Sequence, residues 1–366
     1  MDKTAEQFRK AVSKYKAIAI YIPGSPDPDA IASAYAIKLI LKHLSIETEI
    51  FAEKRLSLPQ NRAFIKQLNI PVSFGKEVNL NTYQAYIVPD FQNNRVEKID
   101  YKIPCAAHID HHEQSKDALK ADFTLIRTDA GATSTLVALI VKNINIDFSD
   151  QELVSMATAL TFGIQTDTDK YNNINYLDLE ALDYLLDYTD LNVLQGISSI
   201  PLSPKTLLYY NKAKENEILH RDWAFYGIGY IDAKSRDSIA ITADMILENS
   251  DHNTVAAFAV IENSYKGEMY LDVSLRSRSE GVDLNRIIKQ ITPNGGGRKY
   301  KGAYQINLNY FLNAPDKNKL WEVVQATTVE KLSRSRDALY ISDIENIYGY
   351  LKNRMLSFFK KDSDFS

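Results

Sequence analysis

The sequence predicts an α/β protein with two domains. The first carries a doubly wound, mainly parallel sheet, and the second is a smaller mixed-sheet α/β domain. Three observations predict this. Short apolar runs such as AIAIYI at 17–22 lack strand alternation, as strands buried on both faces do. These runs alternate with stretches of helical spacing, the mark of parallel sheets with helical crossovers. Finally, 366 residues exceed one ordinary domain.

The elements follow in order. The N-terminal stretch MDKTAEQFRKAVSKYK is charged and helical in pattern, without an apolar signal core. After the strand at 17–22, residues 30–44 have apolar positions at helical spacing. A strand is predicted at 47–51 and a helix at 61–68. Two apolar runs, 85–88 and 105–109, end in Pro89-Asp90 and Asp110. Helices are predicted at 132–144, opening near Thr133 and Ser134, and at 150–164. This first domain spans 1–195. Residues 196–220, with Pro201 and Pro204, are assigned to a linker. The second domain, 221–315, is predicted from strands at 223–231, 255–261, 269–275 and 303–310 and helices at 237–249 and 282–291. Polar helices fill 316–366, which ends in a frayed KKDSDFS tail.

Composition narrows the function classes. With 45% hydrophobic and 25% charged residues the chain is ordinary globular protein. A net charge of -4 gives no global basic field, which argues against long duplex nucleic acid and leaves small anionic substrates open. The single cysteine, Cys105, excludes an intrachain disulfide and a cysteine-rich metal site. No apolar run reaches the ~18 residues of a membrane span, and a cytoplasmic location is expected.

The chemistry-bearing residues stand where the strands end. PGSPDPDA after the first strand carries Asp27 and Asp29, Asp90 follows the run at 85–88, and Asp110-His111-His112 follows the run at 105–109. The helix ending in TALTFGIQ leads into Thr166-Asp167-Thr168-Asp169. In a doubly wound sheet these four segments converge on one edge. Carboxylates brought together repel each other and call for a cation. An oxygen-rich donor set with imidazole suits Mn²⁺ or Mg²⁺ rather than structural zinc. Each segment alone also has a simpler reading: Asp29 can serve the start of its helix, and a lone strand-end aspartate is an ordinary loop residue. The combination, in this order and on these elements, is the specific signal. His108 reads as core, and His43, His220 and His252 as surface.

These motifs resemble the DHH family of metal-dependent phosphoesterases, whose name-giving tripeptide is Asp110-His111-His112 here. SPDPDAIASA at 25–34, Asp90, GATST at 131–135 and GIQTDT at 163–168 are similar to its other motifs, and residues from about 221 resemble its DHH-associated domain. The resemblance implies metal ligation by Asp27, Asp29, Asp90, His111 and Asp167, with Asp90 bridging two ions. It places His112 towards the phosphate with Asp110 beside it. It implies substrate binding by Arg276, Gly295, Gly296, Gly297 and Arg298 of LRSRS and GGGRKYKGA. Physical chemistry agrees: glycine allows close backbone approach, and arginine offers a planar fork to phosphate.

Two positions depart from the family pattern. Pro23 stands where a histidine is usual, and Arg298 where the glycines usually lead into a histidine. Pro23 cannot ligate a metal, so Asp29, Asp90, His111 and Asp167 should form the stronger site and Asp27 with Asp90 a weakened one. The expected activity is Mn²⁺-dependent hydrolysis, with Mg²⁺ as the alternative ion. The expected substrates are short single-stranded oligonucleotides, linear or cyclic dinucleotides or adenosine bisphosphate; a homodimer is compatible with this organisation. Alternatives are a nucleotide-binding regulatory protein with a degenerate metal site, motivated by Pro23, and an inorganic pyrophosphatase. The Ser-Arg-Lys signature of such pyrophosphatases does not occur in the chain.

Overall fold

The computed structural model describes residues 2–362 except 25, 57, 76–81, 92–102, 114–118, 264–266 and 294, with side chains described to 339. Ser25 of the first motif and the last four residues of the tail thus lie outside the described residues. Two compact units divide between Pro201 and Leu202. The proposed linker is therefore not one: most of it is structured and belongs to the second unit.

The first unit is built on six strands: β1 (Ala17–Ile22), β2 (Glu47–Ala52), β3 (Val72–Phe74), β4 (Ala85–Pro89), β5 (Cys105–Asp110) and β6 (Ala121–Ile126). Their order is β3-β2-β1-β4-β5-β6, and every pairing is parallel. The strand order reverses between β1 and β4, where Ile18 pairs with both Thr48 and Ala85. Ligands of such sheets bind outside the carboxyl ends of the strands at that reversal. β4 and β5 are buried at every residue, which explains why they read as unbroken apolar runs. β3, with three residues, and β6, an edge strand with only Phe123 buried, carry no such run and escape the sequence reading.

Helices α1 (Asp2–Val12), α2 (Pro28–His43), α3 (Pro59–Gln67), α4 (Thr133–Asn143), α5 (Asp150–Asp167), α6 (Tyr176–Leu185) and α7 (Leu191–Ser198) complete the unit. Asp27 caps α2 by accepting from the Ala30 N–H at 2.9 Å, and Pro28 begins the helix, where its missing N–H costs nothing. Ser149 and Glu152 form a capping box on α5. Ile31, Ile37, Leu136, Leu139, Leu160 and Phe162 of α2, α4 and α5 are buried in one core with Ile18 and Ile20 of β1. Gly163 sits where α5 approaches its neighbours: a Cβ there would collide with the Ser134 side chain and press on Ala32. α6 and α7 were not predicted.

The second unit contains α8 (Pro204–Glu215), β7 (Glu217–His220), β8 (Trp223–Asp232), α9 (Ser238–Glu248), β9 (Thr254–Asn263), β10 (Glu268–Ser277), α10 (Leu284–Ile291), β11 (Gly296–Gly297), β12 (Lys301–Asn307) and α11 (Lys317–Asp362). Its sheet runs β11-β12-β10-β9-β8-β7, with β8 parallel to β9 and the other pairs antiparallel. The expected mixed sheet is present. Phe225, Phe258, Val273 and Leu275 share one core with Leu284 and Ile288 of α10 and Leu320 and Val324 of α11. Ala257, Ala259 and Ile261 share another with Ile239, Ala243 and Ile246 of α9. The C-terminal polar helices prove to be one helix of 46 residues. No described helix is long and apolar enough to cross a membrane.

Gly163→Ala should lower stability by roughly 1–3 kcal/mol, because overpacking forces side chains off their rotamers. Denaturant unfolding of the two proteins checks this; an unchanged midpoint would mean that α5 can shift freely.

Candidate metal centre

Asp27 and Asp29 open α2 directly after β1. Asp90 follows β4, Asp110 closes β5 with His111 and His112 behind it, and Asp167 is the last residue of α5. Local backbone geometry serves this convergence. Asp90 has φ 56°, a left-handed conformation that L-residues adopt at a cost and aspartate better than most. Beyond Asp167, three successive non-glycine residues, Asp169, Lys170 and Tyr171, have φ of 60°, 56° and 69°. This left-handed turn stops α5 immediately past Asp167.

His111 is the hub. Its Nδ1 lies 3.2 Å from the carbonyl oxygen of Ala130, which can only accept, so Nδ1 carries the proton. In the neutral ring Nε2 then presents its lone pair. Nε2 faces Asp167 Oδ2 at 2.9 Å, Asp90 Oδ1 at 3.5 Å and Asp29 Oδ2 at 4.0 Å. His112 Nδ1 lies 2.8 Å from Asp110 Oδ1 and 3.6 Å from Asp90 Oδ1. Two sets of donor atoms emerge, Asp29 with His111 and Asp167, and Asp90 with Asp110, His111 and His112. Asp27 belongs to neither set but lies in their electrostatic field.

Each carboxylate has its own support. Asp29, 1% exposed, accepts from the N–H groups of Thr133 and Ser134 at 2.7 Å each, so it joins the first turns of α2 and α4. The positive ends of both helices are thereby directed at the cluster. Thr133 Oγ1 donates to Asp90 Oδ1 at 3.1 Å. Asp110 Oδ1 accepts from the backbone N–H groups of both histidines, at 2.7 and 3.1 Å.

Burial first, and then mutual repulsion, set the charge state. Burial and the charges of Asp27, Asp29, Asp167 and Asp110 hold Asp90 well above the usual carboxylate range. Burial and Asp167 raise Asp29, against the pull of His111 and the bonds from Ser134. Asp27 is exposed on one side, yet the protein packed around its other side and the charges of Asp167 and Asp29 push it up to about 7. Asp110 goes the other way: burial raises it, but bonds and charge from His112 outweigh burial and keep it ionised. Asp110 Oδ2 is buried with no hydrogen-bond partner among the described residues. Crowded oxygen donors, an imidazole lone pair turned among them and an orphaned carboxylate oxygen are what a hard divalent cation satisfies. The residues fit the metal that the sequence implies.

Residues 17–164 match the DHH family, N-terminal domain. This part of the chain is similar to that family's N-terminal domain. The DHH family is one of hydrolases acting on phosphoester bonds. The chain is 27% identical over 311 residues to the uncharacterized protein MJ1633 of Methanocaldococcus jannaschii, covering 84% of this chain and 62% of that protein's length. To the uncharacterized protein MJ0988 of the same organism it is 25% identical over 319 residues, covering 81% of this chain and 87% of that protein. Its fold is similar to that of an exopolyphosphatase-related protein from Bacteroides fragilis, with a TM-score of 0.66 and 16% identity over 91% of this chain and 98% of the other.

The DHH name thus falls on residues with three distinct tasks. Asp110 braces both histidines, His111 turns its Nε2 into the carboxylates, and His112 rests on Asp110 with its side chain 40% exposed. Pro23, directly after β1, offers no donor.

The expected substrate residues lie in the second unit. Arg276 on β10 is 9% exposed and held by Asp244 of α9, with Nε–Oδ1 at 2.5 Å and Nη2–Oδ2 at 3.2 Å; its Nη1 donates to Leu275 O at 2.9 Å. The glycines have local reasons of their own. A Cβ at Gly295 would strike Tyr304 and Ile288, and one at Gly297 the backbone of Lys301 and Gly302; only Gly296 has room. None of the three has positive φ, and the Gly297 N–H donates to Asn285 Oδ1 at 3.2 Å. Arg298 N donates to Lys301 O at 2.7 Å, closing the turn into β12. Asp244 went unread in the sequence because a carboxylate on a helix face looks like any solvated charge.

The raised Asp27 has a measurable consequence. A carboxyl whose folded pKa exceeds its unfolded value of about 3.9 favours folding at low pH, and this contribution is lost as pH rises through the folded value, about 7 here. In metal-free protein Asp27→Asn, which keeps the helix cap, should therefore match the parent near pH 4. By pH 8 it should be more stable by about 1 kcal/mol, a figure kept small because the group retains solvent access. Thermal melts across that range check it; a constant gap would show that the carboxyl is not perturbed.

Proposed function

We propose that this chain is a divalent-cation-dependent phosphoesterase acting on short single-stranded oligonucleotides or small nucleotides such as dinucleotides and adenosine bisphosphate. One observation carries the reading: Nε2 of a tautomer-fixed His111 points into Asp29, Asp90 and Asp167 at the sheet's reversal point. Asp29, Asp90, His111 and Asp167 would hold the cation, and Asp27 with Asp90 a second, weaker one. A bound Mn²⁺ or Mg²⁺ supplies charge neutralisation for a phosphoryl group and lowers the pKa of water.

The chain's own groups supply the rest. His112 keeps Nδ1–H on the ionised Asp110, which fixes the ring and leaves Nε2 to face a phosphate group. Arg276 has committed three of its five N–H groups to Asp244 and Leu275. The remaining two leave a fork for a phosphate, in keeping with a role for Arg276, Gly295, Gly296, Gly297 and Arg298 in substrate binding. The net charge of -4 favours small anionic substrates over duplex nucleic acid.

Hydrolysis of a short RNA, a linear dinucleotide, a cyclic dinucleotide, adenosine bisphosphate and pyrophosphate with added Mn²⁺ tests the reading. Turnover of a nucleotide in preference to pyrophosphate is expected. Nucleotide binding without turnover would instead support a regulatory protein, and exclusive pyrophosphate turnover the pyrophosphatase alternative. Asp90→Ala should abolish both Mn²⁺ binding and turnover. Arg276→Ala should raise KM roughly tenfold to a hundredfold with unchanged Mn²⁺ affinity, the loss typical of a charge-assisted hydrogen bond.

A further inference from the structure

Three of the cluster's ligands lean on one short segment. Residues 130–134 supply the Ala130 carbonyl that fixes the His111 tautomer, the Thr133 and Ser134 N–H groups that grip Asp29, and the Thr133 hydroxyl on Asp90. What holds this segment is a carboxylate outside all the motifs read from the sequence. Asp178 of α6 is fully buried. Its two oxygens accept from the Gly131 N–H at 2.9 and 3.0 Å, and Oδ1 also accepts from Thr135 Oγ1 at 2.5 Å. Oδ2 accepts from the Asn175 N–H at 2.7 Å, which anchors the carboxylate to the start of its own helix. The contact leaves no slack: a Cβ at Gly131 would come within 2.5 Å of Asp178 Oδ2 and 2.6 Å of Thr168 Cγ2. Gly131 is a glycine here so that this carboxylate can lie against its backbone.

We propose that Asp178 is a positioning residue for the metal centre: by holding this segment at Gly131 and at Thr135 it sets the orientation of His111, Asp29 and Asp90 together. The proposal rests on the reading of the strand-end cluster as a divalent-cation site. The clamp runs from Gly131, whose N–H belongs to the same peptide group as the Ala130 carbonyl, to Thr135 in the first turn of α4, with Thr133 and Ser134 between them. Releasing it lets the Ala130 carbonyl, the Asp29 grip and the Asp90 bond relax in concert, whereas loss of a single supporting bond would disturb only one ligand. Groups that orient metal ligands typically govern affinity by 10–100-fold when altered.

The test is calorimetric titration of Mn²⁺ into the metal-free full chain, with thermal melts and circular dichroism on the same samples. Asp178→Asn keeps the shape but removes the charge and one acceptor, and should weaken Mn²⁺ binding by 10–100-fold. Thr135→Val removes one of the bonds to Asp178 at nearly constant volume and should weaken it several-fold with the fold intact, so the proposal stays decidable if the first variant folds poorly. Ser149→Ala, which breaks the capping box at the far end of α5, is the comparator: it should lower the melting temperature and leave Mn²⁺ affinity unchanged. If Asp178→Asn or Thr135→Val, folded, binds Mn²⁺ as tightly as the parent, Asp178 is structural only and the proposal is wrong. If Ser149→Ala weakens Mn²⁺ binding as much as they do, the effect is general destabilisation and the proposal also falls. Failure of the parent itself to bind Mn²⁺ would overturn the cation reading beneath it.

Discussion

Repulsion among the carboxylates at the ends of the parallel strands is the constraint that orders the rest of the first unit. Asp27, Asp29, Asp90 and Asp167 are held in one another's fields, and burial denies Asp29 and Asp90 the solvent that would screen the charge. Much of the surrounding structure reads as compensation. The starts of α2 and α4 meet at Asp29, His111 is turned by a backbone carbonyl into the middle of the acids, and Asp110 braces both histidines. Even the left-handed backbone at Asp90 and after Asp167 fits this account: strained conformations persist where surrounding structure over-determines them, and such places cluster at functional sites.

The sheet and the cluster were legible for the same reason. A strand buried on both faces must be apolar throughout, so the acid that ends it is conspicuous, and Asp90 and Asp110 stand out against AYIV and CAAHI. Short or edge elements leave no such contrast, which is why β3 and β6 went unread. The boundary between units was misplaced because Pro201 and Pro204 look like linker punctuation, whereas Pro204 is simply the first residue of α8. Asp178 was invisible for a subtler reason. In YLDLEALDYL it resembles the solvated acids beside it, and only the fold shows that it is buried against Gly131.

The second unit shows the same limit from the other side. Three glycines in a row suggest an open backbone cradle, yet Gly295 and Gly297 are required because neighbouring atoms leave no space for a side chain. Packing and ligand contact are not exclusive: tight closure of the β11–β12 turn also fixes where Gly296 and Arg298 lie. Arg276 carries a comparable double meaning. Its bidentate partner Asp244 neutralises a nearly buried cation, and the same pairing aims what remains of the guanidinium.

The grip of the α4 start on Asp29 bears on how the chain would behave with and without a cation. Small zinc modules fold only around their metal because nothing else organises the ligands. Here Asp29 is satisfied by backbone N–H groups of α4, Asp110 by those of His111 and His112, and His111 by Ala130, all without a cation. The frame of donor groups belongs to the polypeptide, and a cation bound there would be a passenger on it. A centre framed in this way holds its donor groups in place when empty, so a cation could leave and return without the chain unfolding.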